Sequence, residues 1–381
     1  MTTESDTTER ESAGDAAIAD AGSPTTSSSR RRLVVRLGPS SWVVRPRMVG
    51  VTLVGLALMV LLFLLSVGVS DYPLSPLDVA RILLGGGTRI ENVVVLSDSL
   101  PRALVSVLVG FALGSAGALS QLIARNPLAT PDILGITAGS SAAAVAAIAF
   151  GNSWGAWLSD IGVPAAALLG GVATAVVMYV LAWPGRKANH GINPLRLVLI
   201  GVGTTWLLQA LTSFLLTRAD IKDVARAQVW LVGSVSQSTW SSVWPVAIAV
   251  AVGIVVIVTM SRQIDALSLG QDMARGLGVR TAGVSTTVLL VAVGLTALAV
   301  SAAGPIAFIA LLAPQIGMRL ARTPVPTPLL AGVIGAILVL AGDLLCRTLL
   351  PDGLPVGIVT AAVGGPFLIY LMVSMSRKAT V

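Results

Sequence analysis

Arg125-Asn126-Pro127-Leu128-Ala129-Thr130-Pro131 and Gly304-Pro305-Ile306-Ala307-Phe308-Ile309-Ala310-Leu311 interrupt sequence that is otherwise almost all hydrocarbon. Proline and a bare amide side chain are costly at bilayer depth. They are tolerated where they bend a helix beside a protein-lined or watery cavity, so that the freed backbone groups find partners. Punctuation of this kind belongs to a transport pathway more than to an anchor.

Outward from these two stretches, the chain has membrane composition, with 11% charged and 55% apolar residues among 381. A spanning helix takes about 20 largely apolar residues. Charge and proline positions mark ten candidates, at 48–70, 103–123, 134–150, 162–183, 196–216, 242–260, 282–302, 306–320, 328–346 and 355–374. The third and eighth are short and the ninth contains Asp343, so their neighbours must shield them. The predicted fold is an all-α integral membrane bundle of about ten helices.

Lysine and arginine set the orientation. With the N-terminus inside, only Arg81, Arg89, Arg102, Arg218, Lys222, Arg226 and Arg347 of the 25 basic residues fall outside. Both termini are therefore expected in the cytoplasm. The net charge of +7 reads as topology, with no nucleic-acid partner. Residues 1–47 read as a disordered cytoplasmic tail that becomes basic from Arg30 to Arg32, and 48–376 as the transmembrane domain. The 48–70 segment is too long and starts too deep for a cleavable signal. Cys346 and His190 are the sole cysteine and histidine, which sets aside an intrachain disulfide, an imidazole metal site and a Ser–His triad.

Among the connections, 71–101 carries a short amphipathic pattern ending at Gly85-Gly86-Gly87, and 217–240 mixes charges with Trp230 and Trp240. The cytoplasmic 261–281 segment differs. Leu267, Leu269, Met273, Leu277 and Val279 alternate with polar residues around Gly270, Gly276 and Gly278. That pattern predicts one or two short helices with an apolar face, either lying on lipid headgroups or docking a cytosolic partner. Gly110-x-x-x-Gly114 and Gly135-x-x-x-Gly139 allow close helix approach. A faint echo between 109–131 and 293–314 suggests two related halves.

Enzyme signatures are missing. No lysine follows a glycine, so no P-loop is present, and neither His-Glu-x-x-His nor Gly-x-Ser-x-Gly occurs. No catalytic residue, metal ligand or cofactor is assigned. Asp343, the one acid well inside a span, is expected to pair with Arg347 at i+4. Residue reading thus reaches a pathway-forming bundle without its own energy source, carrying a docking loop.

Five ordered motifs carry a resemblance: Leu100-Pro101-Arg102; Asn126-Pro127-Leu128-Ala129 with Pro131 and Leu134-Gly135; Leu269-Gly270 through Ala274-Arg275 and Leu277-Gly278; Gly304-Pro305-Ile306-Ala307-Phe308; and Leu354-Pro355-Val356-Gly357-Ile358-Val359-Thr360. Together they resemble the iron–siderophore and vitamin B12 permease family of bacterial ABC importers. The resemblance implies a ten-helix permease of vitamin B12 permease type that pairs with a second permease chain, as a homodimer or heterodimer, around a central pathway. It implies two cytosolic ATPase subunits and an extracytoplasmic siderophore-binding lipoprotein as partners. It assigns ATPase coupling to Leu269, Gly270, Met273, Ala274, Leu277 and Gly278, and the cytoplasmic gate to Asn126 and Leu128. Arg102 and Arg347 become docking points for the binding protein, although Asp98 lies one turn from Arg102. A third docking arginine is replaced by Ser99, and Asn193-Pro194-Leu195 stands where the family has a hydroxyl pair. Gln315, after Ala313-Pro314, is similar to members that handle enterobactin-like catecholates. The implied function is a ferric-siderophore permease. The alternatives are a cobalamin or haem permease and an ion-coupled secondary transporter.

Overall fold

The computed structural model describes residues 33–37, 40–69, 74–151, 156–182, 194–350 and 353–379. Leu33–Leu37 (β1) and Ser40–Val44 (β2) pair antiparallel, with Leu33 opposite Val44. Both strands lie within the stretch that reads as a disordered tail in the sequence. Its Val-Val and Trp-Val-Val runs have the β-branched and aromatic character that favours strands.

The helical unit follows, from Gly50 onward. Its elements are α1 (Pro46–Gly68), α2 (Pro76–Leu83), α3 (Arg89–Val93), α4 (Leu100–Ala124), α5 (Ile136–Phe150), α6 (Ala156–Ala182), α7 (Pro194–Arg218), α8 (Ile221–Val232), α9 (Trp240–Thr259), α10 (Ser261–Ser268), α11 (Gln271–Gly276), α12 (Thr281–Ala303), α13 (Ile309–Ala321), α14 (Pro328–Thr348) and α15 (Val356–Ala379). Eight helical stretches are long and apolar enough to span a bilayer, and α5 and α13 are the shorter apolar pair. The ten predicted spans all appear, with the third and eighth short as the sequence indicates.

The connection between α1 and α4 is built from local caps over its described residues 74–99. Ser75 accepts the Asp78 N–H to start α2, and Thr88 and Glu91 form a reciprocal capping box at α3. A π-helical stretch, Val94–Ser99, then joins α3 to α4. Trp240 donates its indole N–H to Leu96 O at 2.9 Å and fastens α9 to this stretch.

The core lies where α4 meets α12, α13 and α14, and backbones touch there. A Cβ on Gly110 would fall on Gly335 O, one on Gly114 on Ala331 O, and one on Gly117 on Ala310 O. A Cβ on Gly139 would meet the Thr174 hydroxyl and Gly170 O on α6. These glycines are the packing seams that their spacing predicts. Apolar burial gives little net drive between helices in lipid, so close van der Waals contact carries the association. By contrast α1 and α7 keep most of their apolar side chains exposed, Leu53, Val54, Trp206 and Leu207 among them.

Gly117→Val should therefore split the α4–α13 contact and cost roughly 1–3 kcal/mol or more through overpacking. Gly294→Ala, whose Cβ would meet nothing within 4 Å, serves as the control. Thermal unfolding of the purified protein in detergent checks the pair, and equal melting temperatures would refute the seam.

Candidate translocation path and docking faces

Both interrupted stretches stop a helix for local reasons. Residues preceding proline avoid the helical region, so α4 ends before Asn126-Pro127, with Arg125 in the left-handed conformation at φ 49°. Asn126 Oδ1 accepts the Leu128 N–H at 2.9 Å, which closes a tight turn. A short 3₁₀ turn, Pro131–Leu134, leads into α5. At the second break, Gly304 leaves α12 at φ 69°, a conformation suited to glycine, and packs on Trp230 O. Phe308 is also left-handed, at φ 66°, and α13 starts immediately after it.

The second break is tied down by its neighbours. Ser234 N–H donates to Ala303 O at 2.7 Å, and Gly357 N–H donates to Gly233 O at 3.1 Å. Gly357 and Gly364 of α15 leave room for Val232 O and for the Phe308 ring respectively. The two breaks line one cavity of about 440 Å³, together with Leu113, Thr296 and the head of α15. Asp132 is the ionisable group among its described lining residues, and its carboxylate accepts a hydrogen bond from Thr137. The cavity joins the two stretches that the sequence singled out.

Asn126 and Leu128, the positions expected to form a cytoplasmic gate, sit on the first break, beside a buried polar contact that sequence reading did not assemble. Gln315 Nε2 donates to Gln121 Oε1 at 2.8 Å and to Pro127 O at 3.2 Å. Gln121 Nε2 donates to Leu311 O at 3.4 Å. Both glutamines are buried. The Gln315 amide is thus committed inside the fold rather than offered to cargo. A signal existed for its partner, because Gln121 is the one amide in the apolar run of α4.

At the opposite end, Asp343 on α14 is 1% exposed and carries two arginines. Arg347 Nη2 lies 2.8 Å from Asp343 Oδ2, as the i+4 spacing predicts. Arg102 Nη2 lies 2.7 Å from Oδ1, with Nε at 3.1 Å. The partner of Arg102 is therefore Asp343 of a distant helix rather than Asp98. Arg347 also donates to Ser66 Oγ at 2.7 Å, to Ser66 O at 3.0 Å and to Val69 O. One carboxylate and two guanidinia thus fasten the ends of α1, α4 and α14. The remaining exposure of the two arginine side chains is 22% and 16%.

The 261–281 segment forms two short helices, α10 and α11, one of the two forms expected. Ile264, Leu267 and Ala274 turn inward, whereas Leu269, Met273 and Leu277 are 62%, 66% and 65% exposed. Gly270 (φ 116°) and Gly278 (φ 80°) punctuate the turns. Asn193 lies outside the described residues, as does His190.

A polytopic helical bundle with two broken helices at a shared cavity, a buried ion triad at one end and an apolar loop at the other is a membrane permease. Residues 58–374 match the model of the FecCD transport family, and the chain belongs to that family. It is 37% identical over 303 residues to the ferric enterobactin transport system permease protein FepG of Escherichia coli K12, covering 79% of this chain and 88% of that one. It is 37% identical over 348 residues to the achromobactin transport system permease protein CbrC of Dickeya dadantii, covering 90% and 96%. Against the iron(3+)-hydroxamate import permease FhuG of Bacillus subtilis identity is 34%, covering 83% and 94%. A metal-chelate type ABC transporter solved in an inward-facing conformation superposes with a TM-score of 0.72 at 27% identity, covering 86% of this chain and 98% of that chain.

Asp343→Leu should strand two half-buried guanidinia and destabilise the protein by about 3 kcal/mol. Adding Arg102→Met and Arg347→Met should recover most of that loss, because a well-packed apolar replacement of a buried ion group is often neutral. Thermal unfolding of the single and triple variants is the measurement. A triple variant no more stable than the single would contradict the triad.

Proposed function

We propose that the chain is the membrane-spanning permease subunit of an ATP-driven importer that carries a ferric-siderophore complex into the cytoplasm. One observation carries this reading: in a FecCD-family chain with no P-loop, two broken helices converge on one internal cavity. The relatives are permease proteins of ferric enterobactin, achromobactin and iron(3+)-hydroxamate systems, which supports the cargo class. An enzymatic role has no support from a nucleophile–base pair, and ATP hydrolysis falls to a partner subunit.

The partner surfaces follow from exposure. Leu269, Met273 and Leu277 form the apolar face presented to a cytosolic ATPase, with Gly270, Ala274 and Gly278 shaping the two turns. Asp272 and Arg275 on the same loop suit a protein partner better than simple lipid adhesion. A second permease chain, identical or related, would cover part of the apolar surface left on α7 and α15, and lipid the rest. Both termini lie in the cytoplasm in this reading, in keeping with the basic-residue bias.

On the outer side, the exposed edges of Arg102 and Arg347 are proposed to meet carboxylates of a siderophore-binding lipoprotein. Asp343 would share its guanidinia with the partner, so each contact would contribute only ~1 kcal/mol and act mainly on association rate. Raising salt from low to physiological should slow association of the binding protein with the permease in nanodiscs. A salt-independent on-rate would remove these arginines from the contact.

The central test is energy coupling. Met273→Asp and Leu277→Asp should release the ATPase from the purified complex and abolish ATP-driven siderophore-iron uptake, with the permease still inserted. Uptake that continues after the ATPase is lost would move the protein to an ion-coupled secondary transporter.

A further inference from the structure

We propose that Gln121 and Gln315 are positioning residues that latch the 125–130 loop, and that Arg125 joins this latched loop to the ATPase-coupling loop. The inference rests on the reading of Asn126 and Leu128 as the cytoplasmic gate and adds the device that holds and moves that gate.

The contacts form a continuous path. Both N–H groups of the Gln315 side-chain amide are used, one on Gln121 Oε1 and one on Pro127 O. The amide therefore bridges α4, the loop and α13 at once. Pro127 O belongs to the loop itself, between the two proposed gate residues. On the other side of the loop, a Cβ on Gly270 would lie 3.9 Å from both terminal nitrogens of Arg125. The Arg125 guanidinium thus rests over the turn between α10 and α11, the segment assigned to the ATPase. Arg125 holds a left-handed backbone unusual for its residue type, and its φ of 49° sets the direction in which the loop leaves α4.

The chemistry suits a latch better than a plain core contact. A buried amide pair is strongly directional, and losing one partner leaves the other polar group unpaired in low dielectric. Replacing both partners with apolar groups of similar shape is close to neutral for stability. The single and double replacements therefore separate holding the loop from holding the fold. A residue that only fills the core would be rescued by the double replacement in every readout. A latch would regain stability and stay loose.

The experiment uses the complete importer in proteoliposomes on a Cys346→Ser background, with Leu128→Cys as the probe. Maleimide labelling rates are compared in the nucleotide-free and ATP-trapped states. In the parent the two rates should differ. Gln315→Leu should raise the slower rate about fivefold, the factor that goes with one ordinary hydrogen bond, and bring the two rates together. Gln121→Leu/Gln315→Leu should regain part of the abundance and melting temperature lost in the single variant, with Pro127 O still lacking its donor, while the rates remain together, and it decides the matter if the single variant does not fold. A parent-like rate difference in the double variant overturns the latch and leaves the gate reading standing. Equal rates in the parent overturn the gate reading and the latch with it.

Discussion

Backbone polar groups cannot be left unpaired in hydrocarbon, and this constraint organises the protein around its two helix breaks. Wherever α4 and α12 stop, carbonyls and amides lose their intrahelical partners. Several are answered: Ala303 O by Ser234 and Pro127 O by Gln315 from other elements, and the Leu128 N–H by Asn126 within the turn. The breaks therefore become the points to which α8, α13 and α15 are fastened. A pathway can run beside them because the cost of irregular backbone has been met inside the protein.

Close approach makes those fastenings possible. Gly110, Gly114 and Gly117 remove side chains from one edge of α4, and Gly335 does the same on α14. The helices then meet backbone to backbone, which places Gln121 in reach of Leu311 O and Arg102 in reach of Asp343. The ion triad that results is better understood as a device for register than as a source of net stability. Desolvating three charges offsets much of their attraction, yet removing one member leaves an uncompensated charge. Such a group tolerates one arrangement of α1, α4 and α14 and penalises the others.

Much of this was legible in the residues. The ten spans, the short third and eighth helices, the Asp343–Arg347 pair and the two-helix form of 261–281 follow from local rules of length, i+4 spacing and amphipathic period. The strand pair Leu33–Leu37 and Ser40–Val44 was not read from the sequence, because its short β-branched runs sit in a polar, charge-rich stretch. The partner of Arg102 was not legible, because Asp98 one turn away and Asp343 some 241 positions away look alike until helices are packed. The same holds for Gln121 and Gln315.

The sequence by itself determined that this chain crosses a membrane repeatedly and that it breaks two of its helices at Asn126-Pro127 and Gly304-Pro305. These are properties of composition and local backbone chemistry, which each segment carries with it. Only the tertiary structure decided that both breaks open onto one cavity, that Asp343 serves two arginines and that a glutamine pair holds the Asn126-Pro127 turn. Those are contacts between residues far apart in sequence, and no local pattern encodes which pairs meet. They follow from how the glycine seams let the helices approach.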